Sequence, residues 1–194
     1  MTTTPISEII EYTLVESNPM HVLQRIAVQA DDKSHAFYSV KHYLESQMGG
    51  SEYSYPSWYD WFVTGGGRWN PNDTESYNDD DQSMTISYED EPRKFLDTVN
   101  EAIAERMVEF NRYRQNFNKK NVDINSVLDK YNGQMDFGFQ LYDLYKMIDM
   151  TQGKWDFNSY FYDMYHDTTN TKYMLDSIDT GNKNWYLVFV DFHF

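Results

Sequence analysis

A glycine-rich turn beside three tryptophans is the first feature of the sequence that could carry chemistry. Residues 65–69 read Gly-Gly-Gly-Arg-Trp, and they follow Trp58 and Trp61 closely. Glycine permits positive φ and close backbone approach, so the turn could hold an anion or a nucleotide against Arg68, with the tryptophans as a stacking face. The stretch has neither the Gly-Lys-Ser/Thr of a P-loop nor the spaced dinucleotide-binding fingerprint. The structural alternative is a tight turn whose arginine pairs with a nearby carboxylate.

Asp191 and His193, near the last residue of the sequence, are the second chemical feature. Residues two apart in a strand point to the same face, so these side chains would lie together. They could form an acid/base pair or take part in a metal site. Alternatively, Asp191 pairs with Arg68 across the sheet and the histidine has a satisfied hydrogen bond. The candidate ligand-binding residues are therefore Trp58, Trp61, Arg68, Trp69, Asp191 and His193.

No standard catalytic constellation accompanies these residues. The other histidines are scattered, at His21, His35, His42 and His166, and cysteine is absent, so a zinc site is not expected. The sequence also lacks a nucleophile elbow, a kinase motif set and a metal-protease helix. Whether the protein is an enzyme stays uncertain, with a non-enzyme favoured, and no cofactor is expected.

The formal net charge of −15 is the strongest global signal. An acidic surface repels nucleic-acid backbones and membrane headgroups, but it could dock on a basic surface of another protein. Aspartates recur at nearly regular spacing from Asp123 to Asp163, and a continuous helix would align them on one face. The candidate partner-binding residues are Asp79, Asp80, Asp81, Asp136 and Asp143. The alternative is that the charge keeps an aromatic-rich chain soluble.

Length and composition predict a single soluble domain, residues 1–194, in the cytoplasm. A chain of 194 residues with 40% apolar and 18% aromatic residues can bury a substantial core. No apolar run reaches the roughly 18 residues of a membrane span. The first residues lack the charged-then-apolar layout of a signal peptide, and the absence of cysteine fits a reducing compartment.

The hydrophobic periodicity predicts an α+β fold with a small mixed β-sheet and several helices packed on it. Strands are expected at 9–15, 58–64, 84–88 and 185–194, the last in a central position. Helices are expected after the Asn-Pro pair at 18–19, from Ser34, over 95–117 and 135–150, and over the aromatic stretch 157–165, with a short helix capped by Asp123. Residues 168–180 are ambiguous. The helical segment of about 92–180 could be a subdomain.

The chain resembles a loose group of uncharacterised proteins found widely in bacteriophage genomes. That group carries an aromatic stretch running into Gly-Gly-Arg-Trp and ends on a strand with Asp-x-His. The matching residues are Trp58, Asp60, Trp61, Gly66, Gly67, Arg68, Trp69, Asp191 and His193. Gly65 and the acidic middle of the chain depart from the pattern. The resemblance implies a phage origin and a shared Arg/Asp/His centre, and it implies no reaction.

Two functions are consistent with these observations. The first is a phage-encoded inhibitor, an anti-defence protein that docks its acidic surface on the nucleic-acid-binding site of a host protein. The second is a nucleotide-binding protein that sequesters or hydrolyses a nucleotide signal between the tryptophans and Arg68. A virion or assembly role through aromatic surfaces is a third, less specific possibility.

Overall fold

The computed structural model describes residues 21–48, 58–72, 81–130 and 138–194. In these ranges the strands are β1 (His21–Gln29), β2 (Trp61–Thr64), β3 (Ile86–Ser87), β4 (Phe161–Asp163) and β5 (Trp185–His193). The helices are α1 (Lys33–Met48), α2 (Pro92–Lys120), α3 (Ile124–Leu128), α4 (Gly138–Thr151) and α5 (Lys172–Asp179), with a 3₁₀ turn at Gly67–Trp69. The predicted α+β class is confirmed.

The strands form one mixed sheet in the order β2-β5-β1-β4. β1 and β4 are parallel, whereas β5 is antiparallel to β1, β2 and β3. β2 pairs with the C-terminal half of β5 and β3 with its N-terminal half. Strand β2, which contains Trp61, is thus hydrogen-bonded directly to the strand that carries Asp191 and His193.

β5 lies between two hydrophobic cores, because its alternate side chains point to opposite faces of the sheet. Val188, Val190 and Phe192 pack in a core with α1. Trp185 and Leu187 pack in a second core with α2 and α5. The prediction of a central strand that is apolar on both faces is confirmed.

The two long helices near the sheet follow the predicted periodicity to different extents. Phe37, Val40 and Leu44 in α1 are fully buried. In α2 the first part of the stripe is buried, as at Phe95, but Met107 is 49% exposed. The second half of α2 packs instead against α4.

The prediction of a helix after residues 18–19 is wrong, because His21–Gln29 is strand β1. Its residues alternate between the two cores: Ile26 and Val28 face α1, and Ala27 faces α2. Burial on both sides produces a nearly continuous apolar run, and such a run has no clear period. Pairing with β5 along its full length decides the conformation.

The prediction of an aromatic helix over 157–165 is also wrong. Tyr160 has a φ of 56°, which interrupts a right-handed helix. The following residues form β4, with Phe161 in the core under α2 and Tyr162 in the core under α1. This strand ties the mainly helical segment 92–180 into the sheet through β1.

The remaining element predictions hold in outline. Asp123 caps α3 by accepting a hydrogen bond from the backbone N–H of Asn125. The ambiguous region 168–180 contains α5, and the predicted strand 84–88 is reduced to β3. The predicted strand 9–15 lies outside the described residues. No helix in the described ranges has the length and apolar character needed to cross a bilayer.

Candidate functional site

Three aromatic rings cluster on one face of the sheet, at the end of β5. The strand register places His193 opposite both Trp61 of β2 and His21 of β1. The His193 ring stacks on the Trp61 ring, with centroids 4.8 Å apart and planes 9° apart. The His21 ring meets the His193 ring edge-on at 5.0 Å and the Trp61 ring edge-on at 5.5 Å. Two imidazoles and an indole therefore form a compact cluster in which each ring contacts the other two.

Asp191 lies on the same face of β5 as His193 and is fully buried. Its Oδ1 is 3.0 Å from His21 Nδ1, and its Oδ2 accepts a hydrogen bond of 3.3 Å from the backbone N–H of Arg68. The carboxylate thus joins the imidazole of β1 to the glycine turn. The alternative pairing raised by the sequence, Asp191 with the Arg68 side chain, is replaced by a bond to the Arg68 backbone.

Burial raises the pKa of Asp191, whereas the hydrogen bonds from His21 and from the Arg68 N–H oppose that rise. A carboxylate out of water is stable in its charged form only when such donors remain in place. The ionisation of Asp191 is therefore coupled to His21. A proton on Nδ1 of His21 is the arrangement that satisfies both groups.

The glycine turn packs directly on this carboxylate. Gly65, Gly66 and Gly67 all have positive φ, of 97°, 88° and 47°. A Cβ on Gly67 would lie 2.7 Å from Asp191 Oδ2, so only glycine allows the backbone to come this close. Asn70 fixes the far side of the turn, donating to the Gly65 carbonyl and to Asp81 Oδ2.

Arg68 and Trp69 form the solvent side of the site. The Arg68 guanidinium carbon is 5.4 Å from the Trp69 ring centroid, a cation–π arrangement. Trp69 is 37% exposed, and its ring lies 6.1 Å from His21. In the described part of the chain, no carboxylate lies within ion-pair distance of the Arg68 guanidinium. An exposed cation and an exposed aromatic ring thus border the two imidazoles.

His193 has a carboxylate of its own. Its Nδ1 is 3.7 Å from Asp60 Oδ2, too long for a hydrogen bond, and it makes none to any described residue. Asp60 is 73% exposed, whereas the His193 side chain is only 18% exposed. Each imidazole therefore turns Nδ1 toward a carboxylate and leaves Nε2 for other contacts. No group of three or more potential metal-binding side chains occurs among the described residues.

Trp58 does not belong to this site, although the sequence suggested that it would. Its ring packs on Phe192 at 4.9 Å and on Trp155 at 5.8 Å, in the core under α1. Phe192 points to the face of β5 opposite to Asp191 and His193. His21, in contrast, was missed by the sequence analysis because its strand was predicted as a helix.

The described members of the predicted partner-binding aspartates, Asp81 and Asp143, do not share one face. Asp143 is buried and its Oδ2 lies 2.6 Å from Lys120 Nζ, so it faces the α2–α4 contact rather than a partner. Asp81 binds Asn70 and the backbone N–H of Ser83, and the Ser83 backbone bond is the main cause that lowers the Asp81 pKa. Asp79, Asp80 and Asp136 lie outside the described residues. The wider series is divided among a helix cap, α4, a turn and β4, so it does not share one helical face.

A second Asp–His pair lies where β4 ends. Asp163 is fully buried and accepts hydrogen bonds from the backbone N–H groups of Tyr165 and His166. It also lies 2.7 Å from His166 Nδ1. The hydrogen bonds of this pair all lie within the tight turn 163–168, and the His166 ring stacks on Tyr173 at 5.0 Å and on Trp185 at 6.0 Å, so the pair stabilises local structure. It offers a matched comparison for Asp191 and His21.

Comparisons with protein-family models, with curated proteins and with solved structures found no match for this chain. The site is therefore interpreted from its own residues.

Proposed function

We propose that the protein binds a nucleotide at the surface formed by Trp69, Arg68 and the two imidazoles. The observation that carries the proposal is the exposed Arg68–Trp69 pair set directly beside His21 and the buried Asp191. An exposed indole offers a stacking face to a base. A guanidinium with no carboxylate partner in the described ranges offers charge-assisted hydrogen bonds to a phosphate.

The acidic net charge of the chain favours a small anionic ligand over a long polyanion. A net charge of −15 opposes the approach of extended nucleic acid, whereas a mononucleotide or dinucleotide presents little charge to the rest of the surface. The substrate class is therefore a small nucleotide. Removal of such a molecule from a host signalling system, by sequestration or by hydrolysis, is the biological role that the phage resemblance suggests.

Replacing Arg68 with Ala is expected to weaken nucleotide binding by about 10- to 100-fold, because one charged hydrogen-bonding group is lost. Isothermal titration against ATP, GTP and 3′,5′-linked diribonucleotides measures this. Arg112→Ala is the control, since the Arg112 guanidinium also lies over a ring, that of Tyr113 at 5.0 Å, but in α2 and not in the glycine turn. Equal affinities for the two variants, or no binding by the unaltered protein, would refute the proposal.

The net charge favours a second candidate function. We propose as the alternative that the protein docks its acidic surface on the nucleic-acid-binding site of a host protein and blocks it, in an anti-defence role. Such a charge-driven interface loosens as salt rises. A tagged pull-down from bacterial lysate at low and high salt tests this. The captured protein should be lost at high salt and should lose its own nucleic-acid binding when this protein is added; a salt-insensitive complex contradicts the alternative.

A further inference from the structure

We propose that His21 and His193 cleave a ribonucleotide phosphodiester by general base and general acid catalysis. This rests on the proposed nucleotide binding and adds a reaction to it. Two imidazoles in edge-on contact, with ring centroids 5.0 Å apart, can both reach a single phosphate bound over them. A phosphodiester needs such a pair, because one oxygen must lose a proton as it attacks and another must gain one as it leaves.

The environment of each imidazole assigns its role. Asp191 lies 3.0 Å from His21 Nδ1 and fixes the proton there, which leaves a lone pair on Nε2 for a base. His193 is held by its stack on Trp61 and faces Asp60 at 3.7 Å through Nδ1. With the base assigned to His21, the second imidazole is left as the acid, and it must enter the reaction with a proton on Nε2 to give. His21 is thus the base and His193 the acid.

The attacking group is the 2′-hydroxyl of the substrate. It is held next to the phosphorus by the ribose itself, and an intramolecular nucleophile needs only a base to become reactive. His21 Nε2 takes the hydroxyl proton, the bond from O2′ to phosphorus forms, and the bond from phosphorus to O5′ breaks. His193 Nε2 gives its proton to O5′. The products are a 2′,3′-cyclic phosphate and a 5′-hydroxyl, and the two imidazoles return to their starting states by exchanging one proton with solvent.

Arg68 and Trp69 can stabilise the charge on the phosphate and hold a base of the substrate. The Arg68 side chain is exposed at the rim beside His21 and can face the non-bridging oxygens, where charge gathers in the transition state. Trp69 can stack on one base of the substrate. The charged groups around the imidazoles are Asp191 from β5, Asp60 before β2 and Arg68 from the turn. With one neutral and one protonated imidazole required, the rate should pass through a maximum with pH.

The test uses adenylyl-(3′→5′)-adenosine and its 2′-deoxy analogue. We expect both to bind, and only the ribose form to be cleaved, with a bell-shaped pH profile. His21→Asn keeps an N–H for Asp191 but removes Nε2, and His193→Asn does the same for the second ring. Each is expected to lower the cleavage rate at saturating dinucleotide by about 10²- to 10⁴-fold, whatever change in affinity the lost imidazole brings. His166→Asn is the matched control, because His166 contacts Asp163 in the same way outside the site.

The outcomes separate the two proposals. Binding of the ribose dinucleotide without cleavage refutes the catalytic inference and leaves nucleotide binding in place. Cleavage that survives either site substitution, or equal cleavage of the deoxy analogue, also refutes the catalytic inference as stated. Failure of the unaltered protein to bind either dinucleotide or any nucleotide refutes both. Circular dichroism of each variant excludes loss of folding as the cause of a lost rate.

Discussion

Replacing Gly67 with Ala should destabilise the protein and disable the site at once. The added Cβ would lie 2.7 Å from Asp191 Oδ2 and 2.8 Å from Asp191 Cβ, and the residue has a φ of 47°. The left-handed conformation costs an alanine about 1–2 kcal/mol, and overpacking against a buried group costs about 1–3 kcal/mol more. We therefore expect a loss of about 2–5 kcal/mol of unfolding free energy.

The functional part of this prediction follows from the direction of the clash. Relief requires the turn to move away from β5 or Asp191 to rotate, and either movement breaks the bond from the Arg68 N–H to the carboxylate. Arg68 and Trp69 follow Gly67 directly, so the exposed cation and indole would be displaced with it. Nucleotide affinity should fall even in the fraction of molecules that stays folded.

Gly181→Ala separates backbone strain from the clash. Gly181 has a φ of 98°, so an alanine there is also strained, but nothing lies within 4 Å of the added Cβ. Thermal unfolding should show a fall of about 5–15 °C for Gly67→Ala and a clearly smaller one for Gly181→Ala. Nucleotide binding by the control should equal that of the unaltered protein. Similar decreases in melting temperature for both variants would show that the clash with Asp191 does not contribute to the loss of stability.

The sequence identified most of the residues around the site because they occupy two short local stretches. Gly65 to Trp69 has the chemistry of a tight turn, and the alternation along residues 185–194 places Asp191 and His193 on one face. Both features depend on neighbours in the chain. Their meeting in space required only that the two stretches pair, which the apolar character of both favoured.

Trp58 and His21 show where local reasoning ends. Trp58 lies three residues before Trp61, and in extended chain an odd separation places two side chains on opposite faces, a signal that could have excluded it. His21 offered no comparable signal. Its place beside Trp61 and His193 depends on the register of β1 against β5, which pairs residues far apart in the chain. The apolar run around it was compatible with a helix until that pairing was known.

The burial of two carboxylates could not be predicted from the sequence for the same reason. Asp143 and Asp163 belong to a sequence pattern that suggested an outward-facing row, yet both are buried, one against Lys120 and the other in the turn after β4. Whether a carboxylate faces water depends on packing between elements, and spacing in the sequence does not report it. The net charge of the chain therefore overstates how much of its acidity is available at the surface.

Replacing Asp191 with Asn should preserve the fold and abolish the reaction inferred for His21. An amide can accept the Arg68 N–H through its oxygen and donate to His21 Nδ1 through its nitrogen, so every contact of the carboxylate has a substitute. The substitution changes the tautomer of His21, because Nδ1 must now accept a hydrogen bond. His21 then carries its proton on Nε2 and cannot act as a base. A reversed tautomer behind an intact geometry lowers a rate by up to about 10⁴-fold.

The stability of the same variant should be maintained or increased at neutral pH. Burial raises the pKa of Asp191, so the folded state binds that proton more tightly than the unfolded chain does. A group with a raised pKa stabilises the protein fully below its unfolded pKa of about 3.9, and that contribution is lost as pH rises through the folded pKa. Above the folded pKa the buried carboxylate is charged and that contribution is gone, so asparagine removes the cost of burying the charge.

Three measurements on Asp191→Asn decide the matter together. As pH rises above the unfolded pKa of about 3.9, melting temperatures should fall less steeply than those of the unaltered protein. Nitrogen chemical shifts of the His21 ring should report the proton on Nε2, and dinucleotide cleavage should be lost while binding remains.

Asp163→Asn is the control. Burial also raises the pKa of Asp163, and an asparagine amide there can donate to His166 Nδ1 in the same way. It should flatten the pH dependence of stability and leave cleavage unchanged. Loss of cleavage in both variants, or in neither, would show that Asp191 does not set the tautomer of a catalytic imidazole.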